Sequence, residues 1–154
     1  MGPEGFDFAK LAEEDLDEVV EIEKLCFGTP WSRALFSEEL KHAEICSWMK
    51  LQGRGSAQRV AAYMGFWKAV DEAHITNLAV RPEYRRMGLG KALVLEMMAL
   101  AKTQGCVRAT LEVRPSNEAA LRLYESLCFA AVAMRPKYYL DNEEDALIMW
   151  KNGL

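Results

Sequence analysis

An α/β fold, with an α+β mixed sheet covered by helices on both faces, is what this sequence predicts, and three observations predict it. Two strand-like runs, Cys46 to Gln52 and Val60 to Trp67, are joined by Gly53-Arg54-Gly55-Ser56, a flexible hairpin connection that makes antiparallel neighbours. A strand–helix–strand unit follows, from His74 to Arg114, whose two strands should run parallel in the same sheet. Between its first strand and its helix lies a glycine-containing basic turn, Arg85-Arg86-Met87-Gly88-Leu89-Gly90-Lys91. That turn sits at the carboxyl end of a strand, where ligands of such sheets usually bind.

The elements can be justified in order. Gly5 to Leu11 alternates Phe6, Phe8 and, less cleanly, Leu11 with polar residues, as a short edge strand does, after a loose terminus over Met1 to Glu4. From Ala12 the period becomes helical, with Leu16, Val19, Val20, Ile22 and Cys26 at steps of three and four. Glu13, Glu14 and Asp15 fall in the first turn, where they complement the helix dipole and read as a solvated face. Gly28-Thr29-Pro30 breaks this helix. Ser32 is a good N-cap for a second one to about His42, with Trp31 before it as a core plug or part of a substrate wall. After the hairpin, Lys68 to Glu72 is a turn and His74 to Val80 a strand, apolar from Ile75 onward. Gly88 to about Thr103 is the strongest helix, with Leu89, Ala92, Leu93, Met97, Leu100 and Ala101 along one side and Gly105 as its C′ residue.

Arg108 to Arg114 alternates Ala109, Leu111 and Val113 against Thr110, Glu112 and Arg114. Pro115-Ser116 stops it, and Asn117 caps a helix to about Leu127. Phe129 to Met134 and Asp145 to Trp150 close the chain as strands, joined through the acidic loop around Asp141 to Glu144. The order is β-α-α-β-β-β-α-β-α-β-β. With 154 residues and no repeat or linker, residues 1–154 are expected to form a single domain.

Composition excludes several classes. A net charge of −4 argues against general binding to nucleic acid, which favours basic surfaces. No run of about 18 apolar residues occurs, and no basic stretch followed by an apolar one opens the chain, so no membrane association and a cytoplasmic location are expected. Cys26, Cys46, Cys106 and Cys128 form no C-x-x-C pair, and with only His42 and His74 besides, no metal set of recognised spacing arises. Cys26 and Cys106, among apolar neighbours, read as core filler.

The chemistry begins at the basic turn. Glycines at 88 and 90 let a backbone pass close to a ligand, and the first N–H groups of the following helix lie at the positive end of its dipole. With Arg85, Arg86 and Lys91 around them, they make an anion site suited to phosphate or pyrophosphate. A Walker A loop would need Gly at position 85 and Ser or Thr after the lysine, but Arg85 and Ala92 stand there. A dinucleotide fingerprint would need a small residue at 93, which is Leu93. Glu112, in the middle of a strand covered on both faces, is costly there without a partner such as Arg114 or a purpose. Partial burial would raise its pKa toward the range of a general base. Tyr124 shares a helix face with Asn117, about 10 Å away, and its phenol can donate a proton.

Taken together these residues resemble the GCN5-related N-acetyltransferase (GNAT) family, whose pyrophosphate loop has the pattern R-x-x-G-x-G after a strand. Leu111-Glu112-Val113-Arg114-Pro115-Ser116-Asn117, then Ala120, Leu123 to Leu127 and Phe129, are similar to its bacterial ribosomal-protein-alanine N-acetyltransferases of the RimI type. So are Asn77 to Pro82, Pro30-Trp31-Ser32, Tyr138-Tyr139 and Asp145-Ala146. The resemblance implies acetyl-CoA as cosubstrate and no metal. It implies that Leu78, Ala79 and Val80 hold the acetyl and pantetheine parts by backbone hydrogen bonds, that Arg85, Arg86, Met87, Gly88, Leu89, Gly90 and Lys91 grip the pyrophosphate, and that Asn117 bonds the cofactor arm. Glu112 would be the base, acting through water, and Tyr124 the acid. The implied acceptor is a protein N-terminus, the alanine of small-subunit ribosomal protein eighteen. Lysine side chains, polyamines or another small amine are the alternative acceptors, because the cofactor half sees only coenzyme A. Trp31, Tyr138 and Tyr139 would then line the acceptor side. Two features depart from the pattern: Cys128 stands where family members usually carry Gly, and Gln52 to Arg59 is unusually rich in Gly and Arg.

Overall fold

The computed structural model describes residues 2–55 and 59–154. Ser56 of the expected hairpin loop and Met1 of the expected loose terminus lie outside the described residues, as do positions 57 and 58 of the Gly- and Arg-rich segment. Along the chain come β1 (Phe6–Lys10), α1 (Leu16–Cys26), α2 (Arg33–Leu40), β2 (Cys46–Gly53), β3 (Val60–Ala69) and β4 (Glu72–Val80). They are followed by α3 (Leu89–Thr103), β5 (Arg108–Val113), α4 (Glu118–Ser126), β6 (Ala130–Arg135) and β7 (Ala146–Asn152). This is the expected order. Short 3₁₀ turns at Glu13–Asp15 and Pro82–Tyr84 are the additions. No helix among the described residues is long and apolar enough to cross a membrane.

The strands form one seven-stranded sheet in the order β1-β2-β3-β4-β5-β7-β6. All neighbours are antiparallel except β4 and β5, which pair in parallel only through Glu72↔Arg108, Ala73↔Ala109 and His74↔Thr110. One face of the sheet packs Met64, Phe66 and Leu111 against Leu89, Leu93, Val94, Met97 and Met98 of α3 and Tyr124 of α4. Within α3 the buried stripe runs through Leu89, Leu93, Met97 and Ala101 as expected and also takes in Val94 and Met98, while Leu100 packs against it half-buried and Ala92 is only half-buried. The other face packs Trp48 and Tyr63 against Leu16, Val19 and Ile22 of α1 and Phe36 of α2. Residue 65 is glycine for a steric reason: an added Cβ would lie 2.4 Å from the Trp48 ring.

A bulge in β4 sets up everything downstream. Gly65 pairs with Asn77 and Phe66 with Ile75, so Thr76 is an extra residue with no opposite number. One extra residue reverses which face each later side chain takes. Ile75 packs with the α3 side, whereas after the bulge Leu78 and Val80 do so, and Asn77 and Ala79 turn to the α1 side.

One expectation from sequence is corrected. Asp15 belongs to no solvated face: it is buried, accepts from Ala12 N at 2.8 Å and pairs with the buried Lys50 ammonium at 2.7 Å. Cys26 packs half-buried against the α1-side core, with its Sγ 3.6 Å from the Val80 carbonyl and 3.1 Å from an Arg85 nitrogen. Cys106 is buried as expected.

Both later helices end in the same hydrogen-bond motif, and the comparison exposes a strained residue. After α3, Gly105 (φ 89) donates to Lys102 O and Cys106 to Ala101 O. After α4, Cys128 donates to Glu125 O and Phe129 to Tyr124 O, with Cys128 itself at φ 71. The cysteine takes the left-handed conformation that glycine adopts freely. Cys128→Gly should therefore raise Tm by roughly 2–4 °C, the shift that ~1 kcal/mol produces in a chain of this size. A thermal melt showing an unchanged or lower Tm would mean that no strain is stored there.

Candidate active site

Beyond His74 and Thr110 the two parallel strands separate. A cleft of about 1200 Å³ opens between β4 and β5 and continues over the turn into α3. Its walls carry almost every residue singled out from the sequence: Leu78, Ala79 and Val80 on β4, Glu112 on β5, Asn117 and Tyr124 of α4, and Arg85, Arg86, Gly88, Leu89, Gly90 and Lys91 of the turn. Met87 is the exception. Its side chain is 51% exposed and forms no part of the wall.

The turn has the backbone of an anion site. Arg86 (φ 65) and Gly88 (φ 76) are both left-handed, which turns successive N–H groups toward one concave side. The first intrahelical bond runs from Ala92 N to Gly88 O, so the N–H groups of Leu89, Gly90 and Lys91 precede the ladder and point out of the helix start. A Cβ at Gly88 would meet nothing within 4 Å, so its glycine serves the left-handed conformation. A Cβ at Gly90 would face Leu123 and Val80 at ordinary contact distance, so that glycine keeps α3 near the cleft wall. Arg85 turns back on the strand end, donating from Nε to Val80 O at 3.3 Å. The residues fit a pyrophosphate in donor chemistry and in shape.

Asn117 holds two positions at once. Its Oδ1 accepts from Ala120 N at 3.2 Å and caps α4, so the carboxamide nitrogen is the part left to meet a cofactor arm. Tyr124 is 5% exposed, stacks edge-on against Phe129 at 5.3 Å, and lines the cleft. Burial pushes its phenol well above the ordinary tyrosine range. The phenol is thus protonated throughout the working pH range.

Glu112 departs from expectation. Its partner is His74, with Nε2 and Oε2 2.7 Å apart. Arg114 instead chelates Asp141 at 2.8 and 2.9 Å and lies 3.9 Å over the Tyr139 ring. The predicted upward pKa shift is also reversed. The hydrogen bond from His74 holds the Glu112 carboxyl below its ordinary range, outweighing the opposite effect of burial. Asp141 and Glu144 of the acidic loop are engaged by Arg114 and Ser116 within the chain.

Sequence reasoning missed three groups here. His74 is one, and Trp67, stacked on its ring at 4.8 Å, is the second. The third is Glu23 of α1. It is 1% exposed and accepts from Trp31 N at 3.0 Å, Asn77 Nδ2 at 2.8 Å and the Tyr63 hydroxyl. Burial raises its pKa against these donors. The available signal was positional: Trp67 and His74 flank one hairpin turn, where cross-strand neighbours can meet. Trp31, read as a plug or part of a wall, packs as a plug at the edge of the cleft. It packs on Phe36 at 5.2 Å and Trp48 at 5.7 Å while facing the cleft.

Comparisons with known proteins place the chain in a family. The profile of the Acetyltransferase (GNAT) family matches residues 16–129. An Escherichia coli K12 protein named ribosomal protein bS18-alanine N-acetyltransferase is 35% identical over 143 residues, 92% of this chain and 93% of that protein. A Bacillus subtilis protein given the same name provisionally is 40% identical over 137 residues, 89% of each chain. The crystal structure of the E. coli ribosomal-protein-S18-alanine N-acetyltransferase superposes with a TM-score of 0.85 over 96% of this chain and 93% of that one, at 35% identity. Ard1 from Thermoplasma volcanium superposes with a TM-score of 0.88 over 97% and 99%, at 28% identity.

The His74–Glu112 bond has a pH signature. A carboxyl whose pKa is lowered in the folded state adds stability above its unfolded pKa, and this is lost as pH falls through the folded value. Urea melts should therefore show Glu112→Gln less stable than wild type at pH 7, with the gap narrowing below pH ~4. A gap independent of pH would contradict the assignment.

Proposed function

The chain belongs to the acetyltransferase (GNAT) family and is an N-acetyltransferase, and we propose that it acetylates a protein N-terminus, the N-terminal alanine of ribosomal protein bS18, from acetyl-CoA. The observation that carries this reading is a single cleft with an anion-binding turn at one end and Glu112 and Tyr124 on opposite walls. The names of the E. coli and B. subtilis relatives support the choice of acceptor.

Acetyl-CoA supplies a thioester whose acyl carbon the amine attacks. The backbone of Leu78, Ala79 and Val80 offers the edge that β5 has left unpaired, which suits an extended pantetheine arm. The turn from Arg85 to Lys91 takes the pyrophosphate, and Asn117 donates to the arm. At the other end, an α-amine with an ordinary pKa near 8 needs only a modest base, which Glu112 provides through water. Tyr124 directs its hydroxyl hydrogen to the sulfur as it leaves with the electron pair of the C–S bond. With so firmly held a proton, its contribution is a hydrogen bond to developing charge.

Two loops frame the acceptor mouth. Phe27 to Thr29 and Trp31 lie on one side, and Tyr138, Tyr139 and Asp141 on the other. They touch at Gly28, where an added Cβ would lie 2.8 Å from Asp141 Oδ2, a carboxylate already fixed by Arg114. Gly28→Ala should raise KM for a peptide acceptor roughly three- to tenfold, the equivalent of ~1 kcal/mol, and leave KM for acetyl-CoA unchanged. Equal effects on both constants would place the mouth elsewhere.

The direct test is transfer from labelled acetyl-CoA to peptides that differ only in their N-terminal residue. Transfer to the α-amine of an alanine-initiated peptide is expected. Transfer only to lysine side chains or polyamines would reject the acceptor assignment while leaving the cofactor half intact. Glu112→Gln and Tyr124→Phe should each lower kcat by about 10²-fold.

A further inference from the structure

The loop between β6 and β7 supplies Tyr138, Tyr139 and Asp141 to the cleft, yet it has little in its own sequence to keep it in one shape. It contains no helix or strand, Leu140 is 92% exposed, and Asp141, Glu143, Glu144 and Asp145 crowd four acids into five positions. Like charges at such spacing repel, and ordering a loop costs conformational entropy. The order comes from a side chain outside the loop. Arg114, directly after β5, donates from Nη2 to both carboxylate oxygens of Asp141 at 2.8 and 2.9 Å and from Nη1 to Asn142 Oδ1 at 3.0 Å. Nη1 also lies 3.4 Å from Glu144 Oε1, and the guanidinium sits 3.9 Å over the Tyr139 ring. Four loop residues therefore meet one planar cation. Ser116 completes the grip, donating from N and from Oγ to Glu144, each at 2.9 Å. Asp141 carries the contact across the mouth, because Gly28 stands against its Oδ2.

We propose that Arg114 is the positioning residue of the acceptor site, setting acceptor affinity by holding the loop from Tyr138 to Glu144 as a preformed wall. This deepens the reading of the cleft as the place where a peptide N-terminus meets acetyl-CoA, and rests on it. Arg114 itself neither moves a proton nor holds the cofactor. Its charge is spent on Asp141 and Glu144, and the anion turn lies elsewhere on the cleft wall. A wall ordered during folding spares the acceptor the cost of ordering it on binding. The residue must be arginine for this. A planar fork meets two carboxylate oxygens at once and stacks on an aromatic ring, whereas a lysine ammonium is a single point of charge.

The test compares Arg114→Ala and Arg114→Lys with wild type, using labelled acetyl-CoA and an alanine-initiated peptide. Both variants should raise KM for the peptide about 10- to 100-fold and change kcat by less than about threefold. The dissociation constant for acetyl-CoA, read by calorimetry, should stay within about twofold, which a general loss of structure would not allow. Trypsin should cut after Lys137 about tenfold faster in both variants, since that bond enters the released loop. A double variant with Asp141→Ala should lose little beyond Arg114→Ala, because the two residues act as one unit. If Arg114→Ala lowers the melting transition, Asp141→Asn gives the same comparison without altering the end of β5. Several results overturn the proposal: an unchanged peptide KM, wild-type behaviour of Arg114→Lys, a loss confined to kcat, additive losses in the double variant, or unchanged cleavage after Lys137. If the wild-type protein acetylates no α-amine, the acceptor reading fails instead, and the cleavage rates still decide whether Arg114 holds the loop.

Discussion

Two parallel strands that stop pairing determine the rest of this molecule. β4 and β5 share three registered pairs and then diverge, although both continue for several residues. Backbone groups along the inner edges of a sheet are costly to leave without partners unless water or a ligand reaches them. The separation thus creates both a cleft and a row of donors and acceptors directed into it. It also opens the sheet from face to face. Glu112 lies on the α1 side and Tyr124 rises from α4 on the α3 side, and an unbroken sheet would keep them apart. The divergence lets groups on opposite faces address the same atoms.

Much of this was legible in the sequence, and the reasons are specific. The element order followed from the period of two in Arg108 to Arg114, the period near 3.6 after Gly88, and caps at Ser32 and Asn117 that the structure reproduces with bonds to Leu35 N and Ala120 N. The anion turn was legible because its function lies in backbone conformation, which glycine spacing reports. Pairwise contacts were not. Glu112 was expected beside Arg114, its neighbour on the same strand face, or another base, and the base that meets it comes from 38 residues earlier. The Thr76 bulge was equally invisible, since an extra residue in a strand looks like any other, and it decides that Asn77 faces Glu23. The Asp15–Lys50 pair shows the same limit: three acids in a row resemble a solvated turn until a lysine from β2 is brought against one of them.

Arg86 and Cys128 are both non-glycine residues in the left-handed region, yet their positions differ in what the strain can do. Cys128 ends a helix, where a glycine would meet the same need. Arg86 stands in the turn that we assign to the pyrophosphate, and its strained backbone aims N–H groups while its side chain adds charge. A glycine there would preserve the first property and lose the second. Strain that supports a ligand site is the kind that folded chains retain.

Preorganisation of the cleft rests on one more buried group. Glu23 places its carboxyl in the interior with no cation in contact among the described residues, and three hydrogen bonds from three different segments satisfy it. The donors are the backbone of the α1–α2 loop, a tyrosine of β3 and the residue that follows the β4 bulge. A carboxylate so satisfied ties the acceptor-side wall at Trp31 to the strand whose free edge is assigned to acetyl-CoA. Neither can shift without leaving a buried carboxyl group unsatisfied, which is far more costly than losing a surface contact. The distance between where the amine enters and where the thioester lies is therefore fixed by α1, an element that contributes no group to the proposed chemistry. Reactions that depend on placing two reactants within attack distance are sensitive to displacements of an ångström. This shared anchor holds the two halves of the cleft in register before either substrate arrives.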